Sequence, residues 1–253
     1  MYKGYLIDLD GTIYLGNKVI DAGKRFIERL QKKEIPFLFV TNNSSRLPEN
    51  VANRLAEQFD IHVPASQVYT SSLATRDYMK KLNKGNKVYI IGEEGLSKVL
   101  LDAGFEIDDQ NPDYVVTGLD QQLTYEKLAK ATLAIQRGAY FIGTNPDKSI
   151  PTAEGLLPSN GPTLSFLETA TGVKPDIVGK PNAIMMEEAV ELLNLSKQDV
   201  VMVGDNYETD IKAGLNNDIP SLLVLSGFTK KEDVPNLPKE PTHIVNTLDE
   251  WEV

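Results

Sequence analysis

The chain has no cysteine, two histidines and one tryptophan among its 253 residues. Without cysteine there is no disulfide framework, no thiol nucleophile and no thiolate metal site. With only His62 and His243, a histidine-rich metal centre is ruled out, and a Ser-His-Asp triad would have to use one of the two. Both occupy ordinary loop or strand-edge settings, Asp60-Ile61-His62-Val63-Pro64 and Thr242-His243-Ile244-Val245, and neither is given a catalytic role. No apolar run approaches the ~18 residues of a membrane span. The first residues read as a strand rather than a charged-then-apolar leader, so the cytoplasm is the expected location. Neither G-x-G-x-x-G nor G-x-x-x-x-G-K-[ST] occurs, which weighs against dinucleotide or ATP binding. Positive charge is scarce: 26 Lys+Arg against 36 Asp+Glu leaves a net charge of −10. That sign repels nucleic acid and anionic membrane, so neither is an expected partner. Chemistry must come from carboxylates, lysine, hydroxyls and backbone.

What is present begins with an apolar run, Tyr5-Leu6-Ile7, that reads as a buried strand and stops abruptly at Asp8-Leu9-Asp10-Gly11-Thr12. Two carboxylates ~4 Å apart repel by roughly 4 kcal/mol at an effective dielectric of 20. A cation belongs beside them, and a hard divalent ion is the simplest candidate. Two further apolar strands end in polar residues: 36–40 reaches Thr41-Asn42-Asn43-Ser44, and 199–204 reaches Asp205. In open parallel sheets ligands bind beyond the carboxyl ends of the strands. Taken singly, each feature has a plainer reading. Asp10-Gly11 and Thr41-Asn42-Asn43 read as turns, Lys180 before Pro181 as a solvated helix start, and the stretch from Gly204 to Asp210 as a strand–helix turn.

Strand and helix alternate along the chain, as in βαβ units around a parallel sheet. Helices are expected at 21–33, 48–58 and 71–82, with an irregular stretch at 13–20. After the polar break Asn83-Lys84-Gly85-Asn86 a second alternating series begins, with strands at 88–92, 114–117 and 140–143 and helices at 94–103 and 124–137. Residues 145–162 carry prolines at 146, 151, 158 and 162 and read as largely loop, followed by a helix at 163–171. A loop that long inside a compact domain is usually functional. The first rhythm then returns, with a helix at 181–194 and strands at 199–204, 220–225 and 243–245.

In this order and spacing, Asp8-x-Asp10-Gly11-Thr12, Val40-Thr41-Asn42-Asn43, Gly179-Lys180-Pro181 and Gly204-Asp205-x-x-x-x-Asp210 resemble the four motifs of the haloacid-dehalogenase-like (HAD) phosphatases, over essentially the whole chain. The long stretch between the second and third motifs is similar to the α/β cap of the NagD-like, class IIA branch, which includes 4-nitrophenylphosphatases. The resemblance implies an α/β fold: a Rossmann-like, three-layer parallel-sheet core at 1–78 and 174–253, with an inserted smaller α/β cap at 79–173. It implies that Asp8 attacks phosphorus, that Asp10 serves as acid and then base, and that Lys180 neutralises charge. Thr41, Asn42 and Asn43 would hold phosphate oxygens. Mg²⁺ would be bound by Asp8, the Asp10 carbonyl and Asp205, with Asp210 orienting from behind. The cap would fold over the sheet edge and set specificity, with Asn145, Asp147 and the loop on to Gly155 as candidate substrate contacts. A histidine of pyridoxal-phosphate phosphatases falls about at Ile150, which argues against that substrate. The partner implied is a small phosphoester (a nucleotide monophosphate, sugar phosphate or aryl phosphate), and caps of this type often carry a homodimer contact. A phosphomutase or phosphotransferase, and a catalytically silent metabolite-binding regulator of the same fold, stay open as alternatives.

Overall fold

The computed structural model describes residues 1–152 and 154–253. The first strand, β1 (Gly4–Ile7), is buried along its whole length, as a parallel strand covered on both faces must be. After it, a short antiparallel ribbon, β2 (Tyr14–Leu15) and β3 (Lys18–Val19), occupies the stretch expected to be irregular. Then come α1 (Asp21–Lys32), β4 (Phe37–Thr41), α2 (Pro48–Phe59) and β5 (Val68–Thr70). Helix α1 buries Phe26, Ile27 and Leu30 on one stripe, with Asp21 in its first turn and Lys32 in its last, matching the helix dipole.

The middle of the chain runs through α3 (Ser71–Leu82), β6 (Lys87–Ile91), α4 (Glu94–Asp102), β7 (Glu106–Ile107), β8 (Tyr114–Thr117), α5 (Tyr125–Gln136) and β9 (Tyr140–Gly143). A hairpin follows, β10 (Ser149–Thr152) with β11 (Gly155–Pro158), then α6 (Asn160–Thr171) and β12 (Asp176–Ile177). The last part holds α7 (Ala183–Leu192), β13 (Val200–Gly204), a π-helical turn at Tyr207–Ile211 running into α8 (Lys212–Leu215), β14 (Ser221–Val224) and β15 (His243–Val245).

These elements form two units. The first comprises Met1–Thr41, Pro48–Tyr69 and Lys180–Val253. Its six-stranded sheet has the order β15-β14-β13-β1-β4-β5. Strand β1 pairs in parallel with both β4 and β13, so the chain runs outward from it to either side. That places the topological switch beside β1 and brings the ends of β1, β4 and β13 to one edge. The C-terminal tail closes over this core: Trp251 Nε1 donates to the Tyr5 hydroxyl at 3.2 Å, and Val253 is buried.

The second unit comprises Asn42–Leu47 and Thr70–Gly179. Its five-stranded sheet, β12-β9-β8-β6-β7, is parallel throughout. The sequence places this unit at 79–173, whereas it runs on through β12, which pairs with β9, and it takes in the whole of α3. The reason for α3 lies in two hydroxyls at its start. Ser71 Oγ donates to the Asn42 carbonyl at 2.8 Å and Ser72 Oγ to the Ser44 carbonyl at 2.9 Å, binding 42–47 to the helix. The expected loop at 145–162 is also corrected. It contains the β10–β11 hairpin, and α6 starts at Asn160, with Pro162 in its first turn, where its missing N–H costs nothing. Ala153, within that expected loop, lies outside the described residues.

Candidate active site

Four buried or half-buried charges meet at the carboxyl edge of the first unit's sheet. Asp8 follows the last residue of β1, Asp205 follows β13, and Asp210 projects from the π-helical turn. Lys180 Nζ donates to Asp8 Oδ1 at 2.6 Å, to Asp210 Oδ1 at 2.8 Å and to the Val40 carbonyl at 2.8 Å. The Lys180 side chain is 1% exposed and that of Asp210 2%, while Asp8 keeps 13%, so of these three Asp8 is the one solvent reaches. One oxygen from each of Asp8, Asp205 and Asp210 lies within 4.8 Å of the others.

The electrostatics follow from three carboxylates around one ammonium. Burial alone would depress Lys180, but Asp210 and Asp8 outweigh it and hold the ammonium charged, above the ordinary lysine value. Burial raises Asp8 well above the usual carboxylate range; Asp210 and Asp205 push the same way, and Lys180 pulls against them. Burial and Asp210 push Asp205 up to about 6, although the Phe228 N–H and the Thr12 hydroxyl stabilise its charge. Asp210 is locked from both oxygens: Oδ2 accepts the Asn206 N–H at 3.1 Å, and Oδ1 accepts Thr209 Oγ1 at 3.3 Å as well as Lys180. Asp10 stands apart, its side chain exposed and outside this carboxylate group. Its carboxyl is nevertheless raised by the packed surroundings, against the Gly16 N–H and Arg54. Gly11, directly after Asp10, has φ +94, and a Cβ there would run into the Asp205 carboxylate, so the turn needs glycine. Thr41, at the end of β4, is buried beside the carbonyl that Lys180 contacts.

In the second unit, Asn42 Nδ2 donates to Asp147 Oδ1 at 3.0 Å, and Asn145 Nδ2 donates to the Asn42 carbonyl at 3.0 Å and to Thr144 Oγ1 at 3.1 Å. The structure therefore brings Asn42, Asn145 and Asp147 together. Asn145 is buried, and its amide fixes Asn42. Asn43 caps its own turn, Oδ1 accepting the backbone N–H groups of Ser45 and Arg46.

Comparison with known proteins agrees with this geometry. The profile of the haloacid dehalogenase-like hydrolases matches residues 5–106, and a HAD-hydrolase-like profile matches 177–251. Over 250 residues the chain is 47% identical to the 5'-nucleotidase YutF of Bacillus subtilis (strain 168), covering 99% of this chain and 97% of that one. The chain is a haloacid dehalogenase-like hydrolase of the NagD-like branch. This hydrolase is also 49% identical to an acid sugar phosphatase of Staphylococcus aureus (strain USA300), covering 98% and 96% of the two chains. Among solved structures, a thermostable NPPase double mutant from Geobacillus stearothermophilus superposes with a TM-score of 0.94 at 47% identity, covering 99% and 98%. NagD from E. coli K-12 superposes at 0.93 and 33% identity, also covering 99% and 98%.

One part of the hydrolase's site escapes sequence reasoning. The loop after β14, Ser226-Gly227-Phe228-Thr229, clamps Asp205 from the far side. The Phe228 N–H donates to Asp205 Oδ2 at 2.6 Å, the Thr229 N–H to the Asp205 carbonyl at 3.0 Å, and Ser226 Oγ to the Gly11 carbonyl at 2.9 Å. A Cβ on Gly227 would collide with the same carboxylate. The only sequence signal is a small residue just after an apolar strand.

Proposed function

We propose that this phosphatase hydrolyses small phosphomonoesters by way of a phosphoryl group carried on Asp8, with Mg²⁺ in the Asp8–Asp205 corner of the site. The observation that carries the reading is Lys180, buried and charged, holding Asp8 at 2.6 Å at the end of β1 while two further carboxylates crowd the same point. One ammonium does not balance three carboxylates. Asp205, pushed up to about 6, is the group left short of positive charge. Hard oxygen donors in this number fit Mg²⁺. Asp8 and Asp205 would hold the ion together with the Asp10 carbonyl, and Asp210, locked on both oxygens, orients Lys180 from behind. When bound, the ion would neutralise phosphate charge and so reduce the repulsion between the ester and Asp8.

The chain's own residues supply the remaining chemistry. An Asp8 oxygen bonds to phosphorus as the bond from phosphorus to the leaving oxygen breaks, and Asp10 passes its proton to that oxygen. The Asp10 carboxylate then takes a proton from water as the water attacks phosphorus and the bond to Asp8 breaks, releasing inorganic phosphate. The raised Asp10 carboxyl suits the acid role. The Thr41 hydroxyl would hold a phosphate oxygen, and the N–H groups of Asn42 and Asn43, next in the chain, take the same role on the motif alone. The relatives are named for a nucleotidase, a sugar phosphatase and a nitrophenylphosphatase, activities that share a phosphate monoester and differ in the leaving group. That supports nucleoside monophosphates, sugar phosphates and aryl phosphates as the substrate classes.

The test is phosphate release from a panel of these esters, before and after chelation, by wild type and Asp8→Asn. Release should stop on chelation, return with Mg²⁺ and be absent in the folded variant. A variant that keeps the wild-type rate removes Asp8 as nucleophile, and activity indifferent to chelation removes the ion. Labelled phosphate recovered on an acceptor instead of in water would make the enzyme a mutase or phosphotransferase. Inertness toward every ester combined with tight metabolite binding would make it a regulator.

A further inference from the structure

Arg54 lies outside every motif described above, yet its guanidinium is held by two of its nitrogens and by its flat face. Nη2 donates to the Gly16 carbonyl at 2.5 Å and to Asn17 Oδ1 at 3.4 Å, and Nε donates to Gln58 Oε1 at 3.0 Å. Its flat face lies 4.6 Å from the centroid of Tyr14 and 5.4 Å from that of Phe59, two rings stacked on each other at 4.8 Å. An arginine fixed both by its donors and by its face has little freedom left.

What it grips is the turn of the β2–β3 ribbon. Each strand of that ribbon has only two residues, too little to hold its own shape in water. At the turn, Gly16 adopts a left-handed conformation with φ +58. Its carbonyl goes to Arg54. Asp10 and Tyr14 are themselves bridged, the Gly11 N–H donating to the Tyr14 carbonyl at 2.6 Å. Helix α2 thus holds, through Arg54, the ribbon whose Tyr14 carbonyl ties down the Gly11 N–H next to Asp10.

We propose that Arg54 is a positioning residue for Asp10. By gripping the Gly16 carbonyl and the Tyr14 ring it fixes the ribbon that is bridged to Asp10, and with it the backbone from which the Asp10 carboxyl reaches the leaving oxygen. The proposal rests on the acid role given to Asp10 above. It predicts an effect that depends on the leaving group. A nitrophenolate departs without a proton, whereas an alcohol needs one. The comparison is made in kcat/KM, which reports only steps up to the departure of the leaving group.

The experiment measures kcat/KM of wild type, Arg54→Met and Arg54→Lys on p-nitrophenyl phosphate and on an alkyl monoester that the wild type accepts. Arg54→Met keeps the stem over the rings and should lose about tenfold on the alkyl ester, a fraction of the full effect of general acid catalysis, and less than about threefold on the aryl ester. Should that variant fail to fold, Arg54→Lys, which keeps a cation over the rings but not the planar fork, must show the same skew. Equal losses on both esters, or no loss on either, overturn the proposal. Asp10→Asn is run alongside. If it shows the skew and the Arg54 variants do not, the link through the ribbon fails alone. If Asp10→Asn shows no skew, the acid role of Asp10 fails first.

Discussion

A lysine ammonium has three protons to give, and Lys180 places them on Asp8, on Asp210 and on the Val40 carbonyl. Lys180 is therefore structural as well as electrostatic. Substituting methionine keeps most of the volume but leaves two carboxylates facing each other without their counter-charge. Breaking a buried pair from one side costs about 3–5 kcal/mol, so Lys180→Met should lose that much in urea unfolding as well as its activity. Lys180→Met combined with Asp210→Asn should recover part of the stability and none of the activity. A single variant as stable as wild type would mean that the ammonium contributes no net stability. Asp8 was legible in the sequence because a strand buried on both faces has no structural use for a carboxylate at its end, whereas Lys180 and Asp210 stand out only through the resemblance of their motifs. The clamp on Asp205 was not legible. Phe228 and Thr229 act through backbone N–H groups, which every non-proline residue carries, and no side-chain chemistry marks them.

At the level of elements, strands and helices were readable where apolar periodicity was strong and misleading where proline dominated. The β10–β11 hairpin pairs Ser149 with Pro158 and Pro151 with Leu156. In a two-stranded ribbon every strand is an edge, so a residue lacking its N–H can be placed where no ladder bond is lost. The β2–β3 ribbon was missed because two-residue strands show no alternation. The edge strand β15 carries a pH-dependent contact. His243 Nε2 pairs with the Tyr2 hydroxyl at 2.8 Å, and its ring lies 4.8 Å from that of Trp251. Burial, with help from the N-terminal ammonium, lowers the His243 pKa below the ordinary 6.5. The unfolded chain therefore takes up this proton first as pH falls. The contact does not penalise stability above about pH 6.5, and stability is lost progressively as pH drops through that value toward the folded pKa. His243→Gln should flatten this part of the stability–pH curve, measured by urea unfolding between pH 7 and 5. An unchanged slope would place the titration elsewhere.

At the level of the whole molecule, the first unit is assembled from both ends of the chain. Strand β1 finds β4 nearby in sequence and β13 nearly two hundred residues away, and only their pairing brings Asp8 and Asp205 together. That return was legible from the helix and strand expected at 181–194 and 199–204, although it begins at Lys180 rather than 174, because β12 pairs with β9 in the second unit. The boundary near 71 was not, because it depends on two serine hydroxyls bonding to carbonyls of another segment. A site completed only in the folded chain links cation binding to folding. Asp8, Asp205 and Asp210 against Lys180 leave a formal surplus of two negative charges at one point, and the unfolded chain, with these groups scattered, offers no such point. A cation that binds the native state alone, at about 100 times its Kd, adds about 2.7 kcal/mol, or a rise of about 5–10 °C in Tm for a chain of this size. Mg²⁺ should therefore raise Tm in a concentration-dependent way, and Asp205→Asn should remove most of the rise. The amide protection gained should fall on β1, β13 and the loop at 226–229, whose N–H groups already hold Asp205. If Tm does not respond to Mg²⁺ although the carboxylates are intact, or if protection appears while these segments are unchanged, the ion binds elsewhere and the excess charge at the sheet edge must be balanced by protons.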